Sequence, residues 1–295
     1  MRVLRQSALI PLLACLIVPA RPASAQTEER VIYTSVVDRD GRPVTDLTAR
    51  EFAVREDKLT REVLRVSRAN DPMQIALLVD NSEALQSHLG NLRRAITALV
   101  RELHEANQIA IVTLASRPTI VVDYTRDLAR LEAGVGRIFA EGGTGSYLLD
   151  GIAETSAGLV KRDARRPVIL VVTAQGPEMS DRDHREVLKL VRNSGATLYA
   201  LVLTAGGGSR TNARGREREF VLNEGTAATG GRHEELGASS ALEAKLTQVA
   251  AELANQYRVV YAHPQTLIPP DSIEVSVRRQ GLTARGIPMK AENSK

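Results

Sequence analysis

Between residues 74 and 256 the chain alternates two patterns: short runs that are almost wholly apolar, and longer stretches in which apolar residues return every three or four positions. The short runs predict strands at 75–79, 109–114, 120–124, 168–173 and 197–203. The longer ones predict helices near 88–106, 126–139, 147–160, 182–193 and 239–256. The unbroken run Ile169, Leu170, Val171 and Val172 suits a strand covered on both faces. In the last helix Leu246, Val249 and Leu253 share one stripe, while Glu243, Lys245 and Glu252 take the other side. Strands alternating with helices imply crossover connections, so the expected core is α/β, a doubly wound, mostly parallel sheet with helices on both faces.

The flanks read differently. Residues 31–37 and 52–55 form short β-like runs broken by the turn signal at 38–41 and by Pro43, the mark of a small antiparallel sheet. After Gln256 the β-like pattern returns at 257–261 and 273–277, interrupted by Pro269 and Pro270. Neither piece alone can bury enough surface, so the tail is expected to pair with the N-terminal sheet in a small β-rich unit. The stretch 206–219, rich in Gly and Arg, reads as a mobile surface insertion. The organisation that follows is a leader at 1–25, a β-rich segment at 26–70, the α/β domain at 71–262 and a β-rich tail at 263–295.

The leader has Arg2 and Arg5 ahead of an apolar run from Ala8 to Ala20, then Ala23, Ser24 and Ala25, as in a secretory signal peptide cleaved after Ala25. The run is shorter than the roughly 18 residues a membrane span needs, and the expected product is secreted or periplasmic with no transmembrane segment. An alternative is a lipid anchor on Cys15, after Leu12, Leu13 and Ala14, although Leu16, Ile17 and Val18 continue the apolar run beyond it. Cleavage also changes the charge. The full chain has 39 basic and 35 acidic residues, and losing Arg2, Arg5 and Arg21 leaves it one charge from neutral. A near-neutral chain without Trp and with 3 Phe is not a nucleic-acid binder. Cys15 is the single cysteine, so the mature form has neither disulfide nor thiol nucleophile.

Candidate chemistry gathers where the first core strand ends, at Leu77-Leu78-Val79-Asp80-Asn81-Ser82-Glu83-Ala84. Ligands of open parallel sheets sit at the carboxyl ends of strands, and a carboxylate and hydroxyl two residues apart can converge on a hard cation. A second loop, Gly142-Gly143-Thr144-Gly145, offers another hydroxyl just before a helix.

At these residues the chain resembles the von Willebrand factor A family, whose metal site joins an Asp-x-Ser-x-Ser loop, a Thr in a second loop and an Asp in a third. Asp80, Ser82 and Thr144 stand at three of those positions, and the likeness runs from about Gln74 to Ala262. The stretch 38–52 before it and Asn255-Gln256-Tyr257-Arg258-Val259-Val260-Tyr261 at its end are similar to secreted bacterial VWFA-related proteins. Two positions depart: Ala84 replaces the second Ser, and Ala174 stands where the third-loop Asp belongs, with Glu178 and Asp181 as candidate replacements. The resemblance implies a degenerate metal-ion-dependent adhesion site that holds Mg2+ or another divalent cation weakly. It further implies a protein partner whose carboxylate completes the ion, met by Asn81, Glu83, Gly143 and Ser146. The simpler reading is that Asp80 and Ser82 cap the next helix and the glycine loop is only a tight turn.

Other chemistries lack their motifs. His88, His104, His184, His233 and His263 are scattered without a zinc-binding spacing. No Gly-x-Ser-x-Gly elbow or Gly-Lys-Ser/Thr phosphate loop occurs, Gly206-Gly207-Gly208 lacks a strand-turn-helix setting, and 38–41 lacks the later ligands of a calcium loop. The expected function is therefore a non-enzymatic, extracytoplasmic protein-binding module working through the loops at the carboxyl edge of the sheet. Its rivals are an enzyme of unknown reaction on the same scaffold and a structural envelope component without a ligand site.

Overall fold

The computed structural model describes residues 27–204, 212–264, 270 and 272–288. In chain order the elements are β1 (Thr27–Val37), β2 (Phe52–Glu56), β3 (Leu59–Arg61), β4 (Val63–Arg68), β5 (Gln74–Val79), α1 (Leu89–Leu103), β6 (Gln108–Thr113), β7 (Thr119–Thr125), α2 (Leu128–Gly136) and α3 (Leu148–Lys161). They continue with β8 (Pro167–Ala174), α4 (His184–Ser194), β9 (Thr197–Leu203), α5 (Ala213–Ala228), β10 (His233–Leu236), α6 (Leu242–Ala254), β11 (Tyr257–Pro264), β12 (Ile273–Val277) and β13 (Thr283–Pro288).

Six strands form the central sheet in the order β10-β9-β8-β5-β6-β7, parallel throughout except for β7, which runs antiparallel to β6. Side chains alternate across the pleat. Ile75, Leu77 and Val79 of β5 join Leu170 and Val172 of β8 on one face, under α1, α2 and α6. Ala76 and Leu78 join Ile169 and Val171 on the other, under α3, α4 and α5. Both faces are covered, as expected for a doubly wound sheet, and each buried Leu, Ile or Val contributes about 1.5–3 kcal/mol of transfer free energy.

The flanks build two smaller antiparallel sheets, β13-β1-β11-β4 and β12-β2-β3. The tail strand β11 pairs with β1 from Thr27–Pro264 to Thr34–Tyr257, and β12 pairs with β2 from Ile273–Glu56 to Val277–Phe52. A core of Ile32, Val36, Phe52, Val54, Tyr257, Val259 and Tyr261 lies among these strands, with the Phe52 and Tyr257 rings edge to face at 5.1 Å. Inside it the buried Glu56 accepts from the Tyr261 hydroxyl at 2.8 Å, the His263 ring at 2.7 Å and Arg61 Nε at 2.7 Å.

One buried cation ties the flanking strands to the α/β domain. Arg166, just before β8, directs one terminal nitrogen at the carbonyls of Ala69 (3.3 Å) and Asp71 (2.9 Å) and the other at the Leu253 carbonyl (2.9 Å) and Gln256 Oε1 (2.6 Å). Its guanidinium also lies 4.9 Å from the centroid of the Tyr33 ring in β1.

The structure departs from the sequence reading in several places. The proposed insertion at 206–219 is not a loop in its second part, because 213–219 are the opening turns of α5, started by Asn212 Oδ1 accepting from Gly215 N at 2.8 Å. The buried stripe of α5 begins with Arg218, a charge where periodicity looks for an apolar residue, which hid the helix. Residues 206–211 lie outside the described residues, as do the leader and Cys15. Glu252, assigned to the polar side of the last helix, is buried, accepting from the Tyr199 hydroxyl (3.0 Å) and Arg285 (2.9 Å). The helix expected from residue 88 begins at Leu89, after a 3-10 segment at Glu83–His88.

Candidate functional site

The site is set by the order of the strands. β5 lies between β6, reached next in the chain, and β8, reached later, so the chain reverses its winding direction at β5 and opens a crevice beyond its carboxyl end. Asp80 is the first residue past that end, tied to β8 by its N–H donating to the Val172 carbonyl at 2.9 Å.

Three loops meet there and are sewn together. Loop one, from Asp80, bridges loop two at Ser82–Glu141, and loop two bridges loop three at Ser146–Glu178. Asn81 is the main staple. Its amide nitrogen donates to the Phe139 carbonyl (3.0 Å) and Glu141 Oε1 (3.3 Å), while its oxygen accepts from the N–H groups of Leu114 (3.1 Å) and Ala115 (2.8 Å). Ser146 N donates to the Pro177 carbonyl at 2.9 Å, and Met179 N returns a bond to the Ser146 carbonyl at 2.8 Å. Glycine is needed at two points of loop two. Gly143 has φ +72°, and a Cβ on Gly145 would come within 2.6 Å of both Met179 Cγ and the Pro177 carbonyl.

Each expected site residue can now be placed. The Asp80 carboxylate is 1% exposed, and both of its oxygens are engaged by protein donors. Oδ1 accepts from Ser82 N at 2.9 Å; Oδ2 accepts from the Thr173 hydroxyl at 2.7 Å and from Ala174 N at 3.4 Å. Ser82 is the N-cap of the Glu83–His88 turn but makes no side-chain capping bond, so a pure capping role does not describe it. The Thr144 hydroxyl donates to the Glu141 carbonyl at 2.7 Å inside its own turn. Ser146, two residues on, is 1% exposed and its hydroxyl has no hydrogen-bond partner among the described residues.

In loop three, Glu178 is buried. Its Oε1 accepts from Ser180 N at 3.0 Å and its Oε2 has no hydrogen-bond partner among the described residues. Burial pushes its carboxyl above the ordinary glutamate range, against the hydrogen bonds from Ser180 and the attraction of Arg218. Asp181 instead lies on the surface, paired with Arg214 of α5. Glu83 is exposed and accepts from Gly143 N at 3.1 Å. Asn81 was expected to face a partner, but it is 4% exposed with all of its hydrogen-bonding groups engaged.

These positions bear on the divalent ion that the resemblance implies. An ion at Asp80 would have to compete with three protein donors, Ser82 N on Oδ1 and the Thr173 hydroxyl and Ala174 N on Oδ2. One departure from the family pattern is closely covered by loop three as well: a Cβ on Gly176 would lie 3.0 Å from Ala84 Cβ. The Asp80 set is therefore a poor fit for a tightly held ion. Ser146 and Glu178 keep unpartnered oxygens, and they belong to the other pair of loops. Sequence reasoning missed Thr173 and the stapling role of Asn81, because both follow from strand register rather than from any local motif.

Comparisons with known proteins agree with this architecture. Residues 75–176 match the von Willebrand factor type A domain model. Among solved structures, proximal thread matrix protein 1 from the mussel byssus, with a zinc-occupied MIDAS motif, aligns at TM-score 0.54 and 16% identity over 68% of this chain and 50% of its own. A von Willebrand factor type A protein from Catenulispora acidiphila aligns at 0.50 and 10% identity, covering 91% of this chain and 75% of its own. The D319A mutant of the PilB minor pilin from Streptococcus sanguinis aligns at 0.48 and 10% identity, covering 63% and 62%. The chain thus spans about half the length of the byssus protein and under two thirds of the pilin. No curated protein matches it. With the matched segment running from β5 to the end of β8 and its loop, and the helices stacked on both faces of the sheet, the chain carries a von Willebrand factor type A domain.

Proposed function

We propose that the chain is an exported, non-enzymatic interaction module that grips a protein partner with the stapled loops above β5 and β8. The observation that carries this reading is the platform itself: three loops locked by the Asn81 side chain and by reciprocal backbone bonds, a rigid surface suited to recognition. Phe139, 63% exposed, and Met179, 36% exposed, present apolar surface at its two sides. Export rests on the leader, cleaved after Ala25, and among the described residues no helix is long and apolar enough to cross a membrane. The β-rich flanks are proposed as a second unit, held to the first through Arg166.

The partner's chemistry follows from the rim. Glu83 and Glu141 are exposed on these loops while the Arg93 guanidinium lies 4.8 Å from the Phe139 ring centroid, so a partner carboxylate would be repelled at the two glutamates unless an ion stood between them. With Asp80 already satisfied by protein donors, binding without metal is the better reading, and the partner is one with an apolar contact and a basic margin. The mussel protein with an occupied metal motif marks the contrasting outcome.

The test is capture from an envelope extract by purified residues 26–295, compared with the Phe139→Asp/Met179→Asp double variant, with and without chelator. The proposal expects bands that persist in chelator and vanish in the double variant. Capture abolished by chelator, capture unchanged in the double variant, or no capture would each overturn it.

A further inference from the structure

Away from the strand-end loops, the edge of the sheet gathers three metal-binding side chains. Glu219 of α5 and His233 and Glu235 of β10 place one ligand atom each within 4.8 Å of one another. The topology explains the meeting. β10 is the edge strand, paired in parallel with β9 from His233–Ala200 to Leu236–Leu203, and α5 packs over that edge. His233 and Glu235, two residues apart, point to one face. Glu234 between them takes the opposite face, where it pairs with Arg232 at 2.6 Å and with Lys245 of α6 at 2.9 Å.

We propose that Glu219, His233 and Glu235 form a binding site for a divalent transition ion of the zinc class. His233 supplies the decisive observation. Its Nδ1 lies 2.7 Å from Asn223 Oδ1, an acceptor one helical turn beyond Glu219, so the ring proton belongs on Nδ1 and Nε2 carries the lone pair. Nε2 is buried and has no hydrogen-bond partner among the described residues. Neither Glu219 nor Glu235 forms an ion pair with a described residue. Three electron-pair donors thus converge with no donor hydrogen among them, an arrangement that a cation completes.

The ligand set also selects the ion. Two carboxylates balance the charge of a divalent cation, and an imidazole nitrogen favours zinc, cobalt or nickel over magnesium and calcium. Zinc bonds to nitrogen and carboxylate oxygen at about 2.0–2.2 Å, so the three groups must draw in by roughly 1 Å, within the rotamer freedom of two glutamates. The Asn223 amide holds the imidazole from behind, as outer-shell acceptors do at zinc centres. Three protein ligands leave a fourth position open to water or to a partner's side chain.

Zinc titration of residues 26–295 by calorimetry, with cobalt absorption as a second readout, tests this. Saturable binding of about one zinc per chain is expected, weakened at least about tenfold by His233→Ala and by Glu235→Gln, and weakened less by Asn223→Leu. Magnesium should not compete, and Asp80→Ala should bind zinc like the parent. Glu235 is exposed, so Glu235→Gln decides the matter if His233→Ala fails to fold. No zinc uptake, unchanged affinity in Glu235→Gln, or loss of zinc in Asp80→Ala in its place would overturn the assignment.

Discussion

Arg166→Ala should separate the two units of this protein thermodynamically. The guanidinium is 5% exposed, and its four terminal N–H groups reach four oxygens in three different segments: the linker at Ala69 and Asp71, the end of α6 at Leu253, and Gln256. Gln256 in turn donates to the Ser35 hydroxyl of β1 at 3.0 Å, carrying the network into the β-rich unit. Truncation strands these oxygens. A buried polar group left unsatisfied costs about 1–3 kcal/mol, but four such terms do not add, because water enters the cavity and the desolvation of the cation is recovered. Breaking a buried hydrogen-bond network lies at the upper end of single-substitution effects, about 3–4 kcal/mol, and that is the expectation here. At about 2–4 °C per kcal/mol for a chain of this size, the melting midpoint should fall by roughly 10 °C. Arg166→Lys keeps the charge but cannot span four acceptors, and should lie between the two. Calorimetry of residues 26–295 is the assay, and the variant's trace should resolve two transitions where the parent shows one. An Arg166→Ala protein within about 1 kcal/mol of the parent, melting as one unit, would refute the reasoning.

Four further outcomes follow from the same structure. Glu178 has a carboxyl raised by burial, so its folding contribution is fully present below the ordinary glutamate value and is lost as pH rises through the folded one. Glu178→Gln should therefore flatten the fall in melting temperature as pH rises above the ordinary glutamate range, and an unchanged profile would show that Glu178 does not control it. Glu56 shifts the other way: burial raises it, but the hydrogen bonds from Tyr261, His263 and Arg61 outweigh burial and hold it below the ordinary range. Its stabilisation is present above the ordinary glutamate value and is lost as pH falls through the folded one, so Glu56→Ala should cost about 3–5 kcal/mol at pH 7 and show a shallower acid limb in denaturant titrations. Asp80→Ala leaves the donors of Ser82, Thr173 and Ala174 without their acceptor and should lower stability by roughly 2–4 kcal/mol. Magnesium calorimetry on the parent should show no tight binding, and tight binding that Asp80→Ala removes would contradict the fit argued above.

The sequence by itself determined the α/β class, because period-2 and period-3.6 apolar patterns report directly on which faces are buried, and the runs at 75–79 and 168–173 needed no tertiary information. It also placed Asp80 at the end of a central strand, since a strand apolar on both faces lies inside the sheet. It could not supply α5 and β10. Arg218 interrupts the apolar stripe of the first, and the second, with His233, Glu234, Glu235 and Leu236, has one apolar residue in four. Local propensity is weak in both, and packing against the sheet decides them. With those elements unread, Glu219 and His233 could not be brought together, though they are 14 positions apart. Nor could residue spacing reveal that Thr173 satisfies Asp80 or that Asn81 ties the loops. The first depends on the parallel register between β5 and β8 and the second on that between β5 and β6, long-range pairings that only the folded chain establishes.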